Sequence, residues 1–282
     1  MSASPLIPRR TALALLGAGA WAGRAAAAEE APLRFTGLDH VEFWASDVEK
    51  SRDFYARIFG NAVMKNNKTT RRYLQLGSAY IAIDTSAGAK GADAGRVDHF
   101  CTGIPSFDIA AVHAYLQRNG IAFRDYPSGR DLAVSDPDGT RTQLAADNGW
   151  KSLEGGTASR ESVPLQAEPI FKPTGLDHIL LNVTDQKKAA EFYAKIFGPG
   201  TSGANDRIWF QAGSARVGLL QTPAGQRAGV NHFCISAAAF NFDAVTKKLQ
   251  AAGARIEPTE TPGDPEFRDP DGLLIQVKGP QP

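Results

Sequence analysis

Five ordered segments of this chain occur twice, and that repetition constrains the fold more than any other feature. Gly37-Leu38-Asp39-His40 returns as Gly175-Leu176-Asp177-His178. Phe54-Tyr55-Ala56-Arg57-Ile58-Phe59-Gly60 returns as Phe192-Tyr193-Ala194-Lys195-Ile196-Phe197-Gly198. Gly77-Ser78-Ala79 returns as Gly213-Ser214-Ala215, and Asp98-His99-Phe100-Cys101 as Asn231-His232-Phe233-Cys234. Asp136-Pro137-Asp138-Gly139 returns as Asp269-Pro270-Asp271-Gly272. Chance does not place five such matches in the same order. The chain is two copies of one domain, over 37–148 and 175–280.

Between the copies, 149–174 contains Gly155-Gly156, Ser159, Ser162 and several prolines without a clear period, which reads as a linker. Each copy divides again into two half-units. In the first, Leu38 to Trp44 has strand character, with Val41 and Phe43 apolar at period two. Val48 to Ile58 reads as a helix stopped by Gly60. Two short strands follow around the Gly77-Ser78 turn. The cycle restarts with a strand over 97–102, a helix over 107–118 stopped by Gly120, and strands to Ala145. The order is strand, helix and three strands, twice per domain. This is an α+β class.

With 282 residues, 43% hydrophobic and 22% charged, the chain has the composition of an ordinary globular protein. A formal net charge of +1 and the lack of a basic cluster with aromatics argue against nucleic acid as a partner. Cys101 and Cys234 fall at matching places in separate copies, so they are expected as small core-filling residues rather than a disulfide. Arg9-Arg10 precedes an apolar run from Ala12 to Ala22 and a small-residue stretch from Ala25 to Ala28. That is the layout of an export signal over 1–28. The paired arginines resemble a twin-arginine signal, with an ordinary secretory signal as the other reading. Either route ends in the periplasm or outside the cell, without a membrane anchor once the signal is removed.

The order of elements, with Asp-His on opening strands and Asp-Pro-Asp-Gly before the last, resembles the vicinal-oxygen-chelate superfamily. That group includes glyoxalase I, fosfomycin- and bleomycin-resistance proteins and extradiol ring-cleavage dioxygenases. The resemblance implies two open, cup-shaped sheets with helices outside and a metal and substrate inside. It implies ligands on the first strand of each half-unit and on a last strand. Carried onto this chain, these are His40, His99 and Gln143 in the first cup, and His178, His232 and Gln276 in the second. Strand alternation agrees: if Val41 and Phe43 face a helix, His40 and Glu42 face the cup.

The family usually ends a three-residue site with a carboxylate, whereas both last-strand positions here carry Gln. Two neutral His and a neutral Gln leave an ion's charge uncompensated, so binding is expected to be weaker and the ion a stronger Lewis acid. The further carboxylate of glyoxalase I is also missing, with Ala82 and Gly218 in its place. The implied cofactor is a divalent metal, iron or manganese first, zinc or nickel next, or none if the cups bind ligand alone.

Glu42 is the candidate general base in the first cup, a role its counterpart Leu180 cannot fill. Arg141 shares the face of Gln143 and is placed to meet an anionic substrate, or else to pair with Glu42. Tyr73 with Gln75, and Trp209 with Gln211, are read as cavity walls that touch substrate. Asp39, Asp98 and Asp177 are expected to point to the opposite face as structural residues. His113, within a helix, is read as surface or packing. The function implied is an exported, dioxygenase-like metal enzyme acting on a small oxygen-bearing molecule. A glyoxalase-like isomerase or lyase and a metal-free sequestering protein are the alternatives. Both halves of each cup lie in one chain, so a monomer suffices.

Overall fold

The computed structural model describes residues 33–60, 62–85, 93–154, 156–163 and 168–280. The segment read as an export signal, 1–28, lies outside the described residues. The first half-unit is β1 (Gly37–Trp44), α1 (Val48–Phe59), β2 (Val63–Asn66), β3 (Arg72–Leu76) and β4 (Ala79–Asp84). The second is β5 (Arg96–Ile104), α2 (Ile109–Arg118), β6 (Phe123–Asp125), β7 (Asp131–Ser135) and β8 (Arg141–Ala146). A 3-10 turn (Gly149–Leu153) and β9 (Ala158–Glu161) then lead to the second copy. There the order is β10 (Pro173–Val183), α3 (Gln186–Phe197), β11 (Thr201–Ser202), β12 (Ile208–Ala212) and β13 (Ala215–Gln221). It ends with β14 (Gly229–Ala237), α4 (Phe242–Ala251), β15 (Arg255–Glu257), β16 (Glu266–Arg268) and β17 (Leu274–Lys278). Both copies follow the strand, helix and three-strand order read from the sequence.

Each copy forms one open mixed sheet. The orders are β6-β7-β8-β5-β1-β4-β3-β2-β9 and β11-β12-β13-β10-β14-β17-β16-β15. At the centre of each, the opening strands of the two half-units pair antiparallel, β1 with β5 and β10 with β14. Each opening strand also pairs in parallel with the last strand of its own half-unit. The segment read as a linker therefore does more than connect: β9 adds to β2 as an edge strand of the first sheet.

Helices start where a side-chain oxygen takes up free backbone N–H groups. Asp47 accepts from Glu49 and Lys50, and Asp185 from Lys188. Their apolar faces bury Phe54, Tyr55, Ile58, Tyr193 and Ile196 against Val41, Phe43, Ile179 and Leu181. The buried apolar side chains of both copies join in one continuous core. A smaller cluster, with Tyr73, Tyr80, Trp150 and Leu153, lies under the first cup.

Polar contacts lock the copies together in a reciprocal pattern. The Tyr55 hydroxyl donates to Asp269 at 2.8 Å, and the Tyr193 hydroxyl donates to Asp136 at 3.1 Å. The other oxygen of each aspartate holds its own turn, by accepting from Asp138 and Thr140, or from Asp271 and Leu273. The second aspartate of each Asp-Pro-Asp-Gly turn receives the backbone N–H and hydroxyl of Ser46 or Thr184 from the other copy. Burial pushes the Asp136 and Asp269 carboxyls above their ordinary value and the two phenols well above theirs. Among the described residues, no helix is long and apolar enough to cross a membrane.

The turns at Gly77 and Gly213 also belong to this contact. Their φ angles are 66° and 64°, and an added Cβ would lie 2.2 Å from the Thr174 carbonyl oxygen and 2.4 Å from that of Phe35. Gly129 has a similar φ of 64° but nothing within 4 Å. Gly129→Ala should therefore cost about 1 kcal/mol for its left-handed backbone alone. Gly77→Ala or Gly213→Ala should cost about 3 kcal/mol or more, because the backbone of the other copy must move. Equal shifts of the three variants in urea unfolding would contradict this contact.

Candidate metal centres

The central antiparallel ladder of each sheet brings two histidines face to face. In the first, Glu42 is the ladder partner of His99, and His40 that of Cys101. In the second, Leu180 is opposite His232, and His178 opposite Cys234. The Nε2 atoms of His40 and His99 are 3.3 Å apart, and those of His178 and His232 are 3.2 Å apart. The parallel neighbour strand sets Gln143 beside Cys101, and Gln276 beside Cys234. His40, His99 and Gln143 line one cavity of about 290 Å³, and His178, His232 and Gln276 another of about 220 Å³. The six side chains do converge, three to a cup.

The acids beside the histidines do not point away, as strict alternation predicts. Asp39 and Asp98 each take the Nδ1 of the following histidine at 2.7 Å, and Asp177 does so at 2.6 Å. The amide oxygen of Asn231 plays the same part for His232 at 2.8 Å. The reason lies in the ladders. Register shifts occur between Leu38 and His40, between Glu42 and Phe43, between Leu176 and His178, and between Leu180 and Leu181. Each of these four falls at the residue before a histidine and re-aims it, as β-bulges do; a fifth, between Pro173 and Gly175, does not. A period-two pattern carries no sign of this.

These contacts set the tautomers. An Nδ1 that faces a carboxylate or an amide oxygen carries the proton, which leaves the Nε2 lone pair facing its partner. Burial, the neighbouring His178 and Arg207 push the His232 imidazole down to about 3, against a hydrogen bond with Gln276. His178 is also lowered, by burial first, with Arg216 and Lys278 adding to it. Burial opposes the charge of Asp177, but hydrogen bonds from His178 and Arg216 outweigh it and hold the carboxyl well below its ordinary value. Asp98 is lowered too: burial is outweighed by His99 and Arg141.

The remaining candidates divide between those the structure brings to the cups and those it does not. Tyr73 and Trp209 line the first and second cup. Gln75 and Gln211 do not. Each sits at the end of its strand and donates its amide to the carbonyl of the adjoining turn glycine, Gly77 or Gly213. Glu42 and Arg141 both reach the first cup but do not pair with each other. Arg71 holds Glu42 at 2.8 Å, and Arg141 pairs with Asp98. Cys101 and Cys234 are fully buried, and burial pushes both thiols well up, as suits core-filling residues. His113 stacks on Phe123 and bonds Asp125 outside the cups.

Besides Tyr126 and Asp131, which also line it, sequence reasoning missed three further parts of the first cup. Tyr80 stacks on His40, with ring centroids 4.5 Å apart. Arg71 joins Glu42 to Asp84. Leu153 closes the cavity from the segment read as a linker. The alternation of Tyr80 with Ile81 pointed to the first; nothing in the pattern pointed to the other two.

The family model of the Glyoxalase/Bleomycin resistance protein/Dioxygenase superfamily matches residues 37–144 and 175–277. The chain belongs to this superfamily. Among solved structures, it is similar to the 2,3-dioxygenase LapB from Pseudomonas sp. KL28, with a TM-score of 0.66 and 15% identity over 89% of this chain and 94% of that one. A catechol 2,3-dioxygenase gives a TM-score of 0.67 and 16% identity over 88% and 89%. The Mn(II)-bound glyoxalase from Novosphingobium aromaticivorans gives 0.62 and 15% over 87% and 82%. At these identities the likeness shows the superfamily fold. No curated protein matches the chain.

The second cup makes a testable statement about pH. In its folded form the imidazole of His232 titrates near about 3, against an ordinary value of 6.5. Between those values the unfolded chain binds a proton that the folded chain refuses, so folding free energy is lost as pH falls through this window. In chelator-treated protein, His232→Gln should flatten that fall. Parallel pH–stability curves for the parent and the variant would count against a neutral pair.

Proposed function

We propose that the protein is a metal-dependent enzyme of the superfamily, dioxygenase-like, that acts on a small oxygen-bearing molecule, aromatic rings included. The observation that carries the reading is the pair of facing Nε2 lone pairs in each cup. Two acceptors at 3.3 Å and 3.2 Å repel unless a positive charge lies between them. Nitrogens at about 2.1 Å from one ion are about 3.0 Å apart at a right angle and about 3.4 Å apart at the tetrahedral angle. Both pairs fall within that span without any ring turning. The residues thus fit a divalent ion, with Gln143 or Gln276 as the neutral oxygen donor. Imidazole and oxygen donors suit iron, manganese, zinc or nickel.

When bound, such an ion polarises a substrate oxygen and offers open positions for a second reactant. The chain itself shapes the rest of the first cup. Tyr73, Tyr80 and Leu153 give it an aromatic and apolar wall, and the volume of about 290 Å³ suits a single-ring molecule. Arg71 fixes Glu42 on the wall beside His99, where its carboxylate can take a proton from substrate or hold a cation. Arg141, shared with Asp98, is the candidate contact for an anionic group of the substrate. Trp209 gives the second cup its aromatic wall. The signal-like segment 1–28 supports export to the periplasm or beyond, by the twin-arginine route.

Metal analysis of the purified protein, followed by oxygen uptake with catechols, tests this reading. Stoichiometric metal, its loss in His99→Ala and uptake that a chelator stops are the expected outcomes. Turnover of a hydroxy-thioether without oxygen uptake would move the assignment to a glyoxalase-like enzyme. Ligand binding by metal-free protein, unchanged by chelator, would replace it with sequestration. In the same assays, Asp39→Asn should weaken metal binding 10- to 100-fold, because it removes the carboxylate that orients His40.

A further inference from the structure

The last-strand position gives neither cup a charged ligand, yet the two cups differ at one ladder position of the first strand. Glu42 occupies it in the first cup and Leu180 in the second, each opposite the second histidine of its pair. Glu42 is buried, at 5% exposure. A carboxylate oxygen of Glu42, one of Asp98 and a ring nitrogen of His99 lie within 4.8 Å of one another, and the Nε2 of His99 in turn lies 3.3 Å from that of His40, which belongs to a separate group with Asp39 and Cys101. Arg71 donates to Oε1 of Glu42 at 2.8 Å and divides its charge with Asp84, which it meets at 3.0 Å and 2.8 Å. Among the described residues, no group donates to Oε2 of Glu42.

Among the described residues, acids outnumber bases around the first cup. Glu42, Asp98 and Asp131 line it, and Asp39 and Asp84 stand directly behind, against Arg71 and Arg141. Glu42 lines the cavity with one oxygen not taken by Arg71, where a cation beside His99 would meet it. The second cup has Arg207, Arg216 and Lys278 set against Glu260, Asp264 and Glu266, with Asp177 behind. Burial raises the carboxyls of both Asp264 and Glu266. Leu180 packs there against the backbone of Gly218, where an added Cβ would lie 2.8 Å from its Cδ1. In the first cup, the Nε2 of Gln143 is turned to Asp131, so its amide oxygen is a neutral donor at best.

We propose that Glu42 is the anionic metal ligand of this protein. The negative charge that the family places on the last strand has moved to the first strand of the first cup, and that cup is the tight site. The second cup, whose three counterpart donors are neutral and whose lining acids Glu260, Asp264 and Glu266 are set against Arg207, Arg216 and Lys278, holds a divalent ion weakly. This rests on the metal-dependent reading above and names its charged ligand and its working cup.

Mn²⁺ titration of the full, chelator-stripped protein tests it, with loss of the free-ion electron paramagnetic resonance signal as the readout. The parent should bind one ion tightly, and His178→Ala should leave that site intact. Glu42→Gln, which keeps shape and removes charge, should weaken it more than about a hundredfold, beyond the loss from an outer-shell residue. Gln143→Ala should cost less than about tenfold. Leu180→Glu should create a second tight site and serves as the gain-of-function arm should Glu42→Gln fold poorly. Unchanged affinity in Glu42→Gln, or a larger loss in Gln143→Ala, overturns the assignment while the metal reading stands. If the parent binds no Mn²⁺, Zn²⁺ or Fe²⁺ at all, the metal reading itself falls, and this assignment with it.

Discussion

Two imidazole nitrogens meet at 3.3 Å across the centre of the first sheet, each ring held from behind by an acid at Nδ1. The rest of the structure supplies the force. Central strand pairs bring the rings together, bulges swing an acid or amide behind each ring, and the covering helices bury the assembly. If the proposed ion binds, it turns this close approach from a cost to stability into a contribution. On the metal-dependent reading proposed above, the site is organised around a positive charge before any substrate enters.

Much of this was legible in the sequence, for physical reasons. The repeat gave the domain number, and period-two apolarity gave the faces of His40, Glu42, His99 and Gln143. The same rule failed at Asp39, Asp98 and Asp177, because an added residue in a ladder breaks alternation locally and leaves no mark in hydrophobicity. Gln75 and Gln211 failed for another reason. They share the face of Tyr73 and Trp209, but they lie past the rim of the cup, where a turn carbonyl is the nearer partner. Charge pairing was the least legible feature. Arg71 lies between the strands that pattern analysis assigned, and nothing in its neighbourhood along the chain announces Glu42 or Asp84 as its partners.

The two cups differ by single substitutions at matching positions of one scaffold. Glu42 faces Leu180, Arg141 faces Leu274, and Tyr80 faces Arg216 across the duplication. The pair of histidines is common to both. What differs is the charge and shape around them.

The reciprocal clasp between the copies has a consequence for the duplicate itself. Each Asp-Pro-Asp-Gly turn closes its own sheet with one carboxylate oxygen and receives a tyrosine from the other copy with the second. Cutting either copy away would strand a phenol and an acid of the survivor in a newly exposed apolar face. Dependence of this kind ties the two halves into a single inheritance. The half that carries the second cavity thus completes the packing of the first, independently of what that cavity holds.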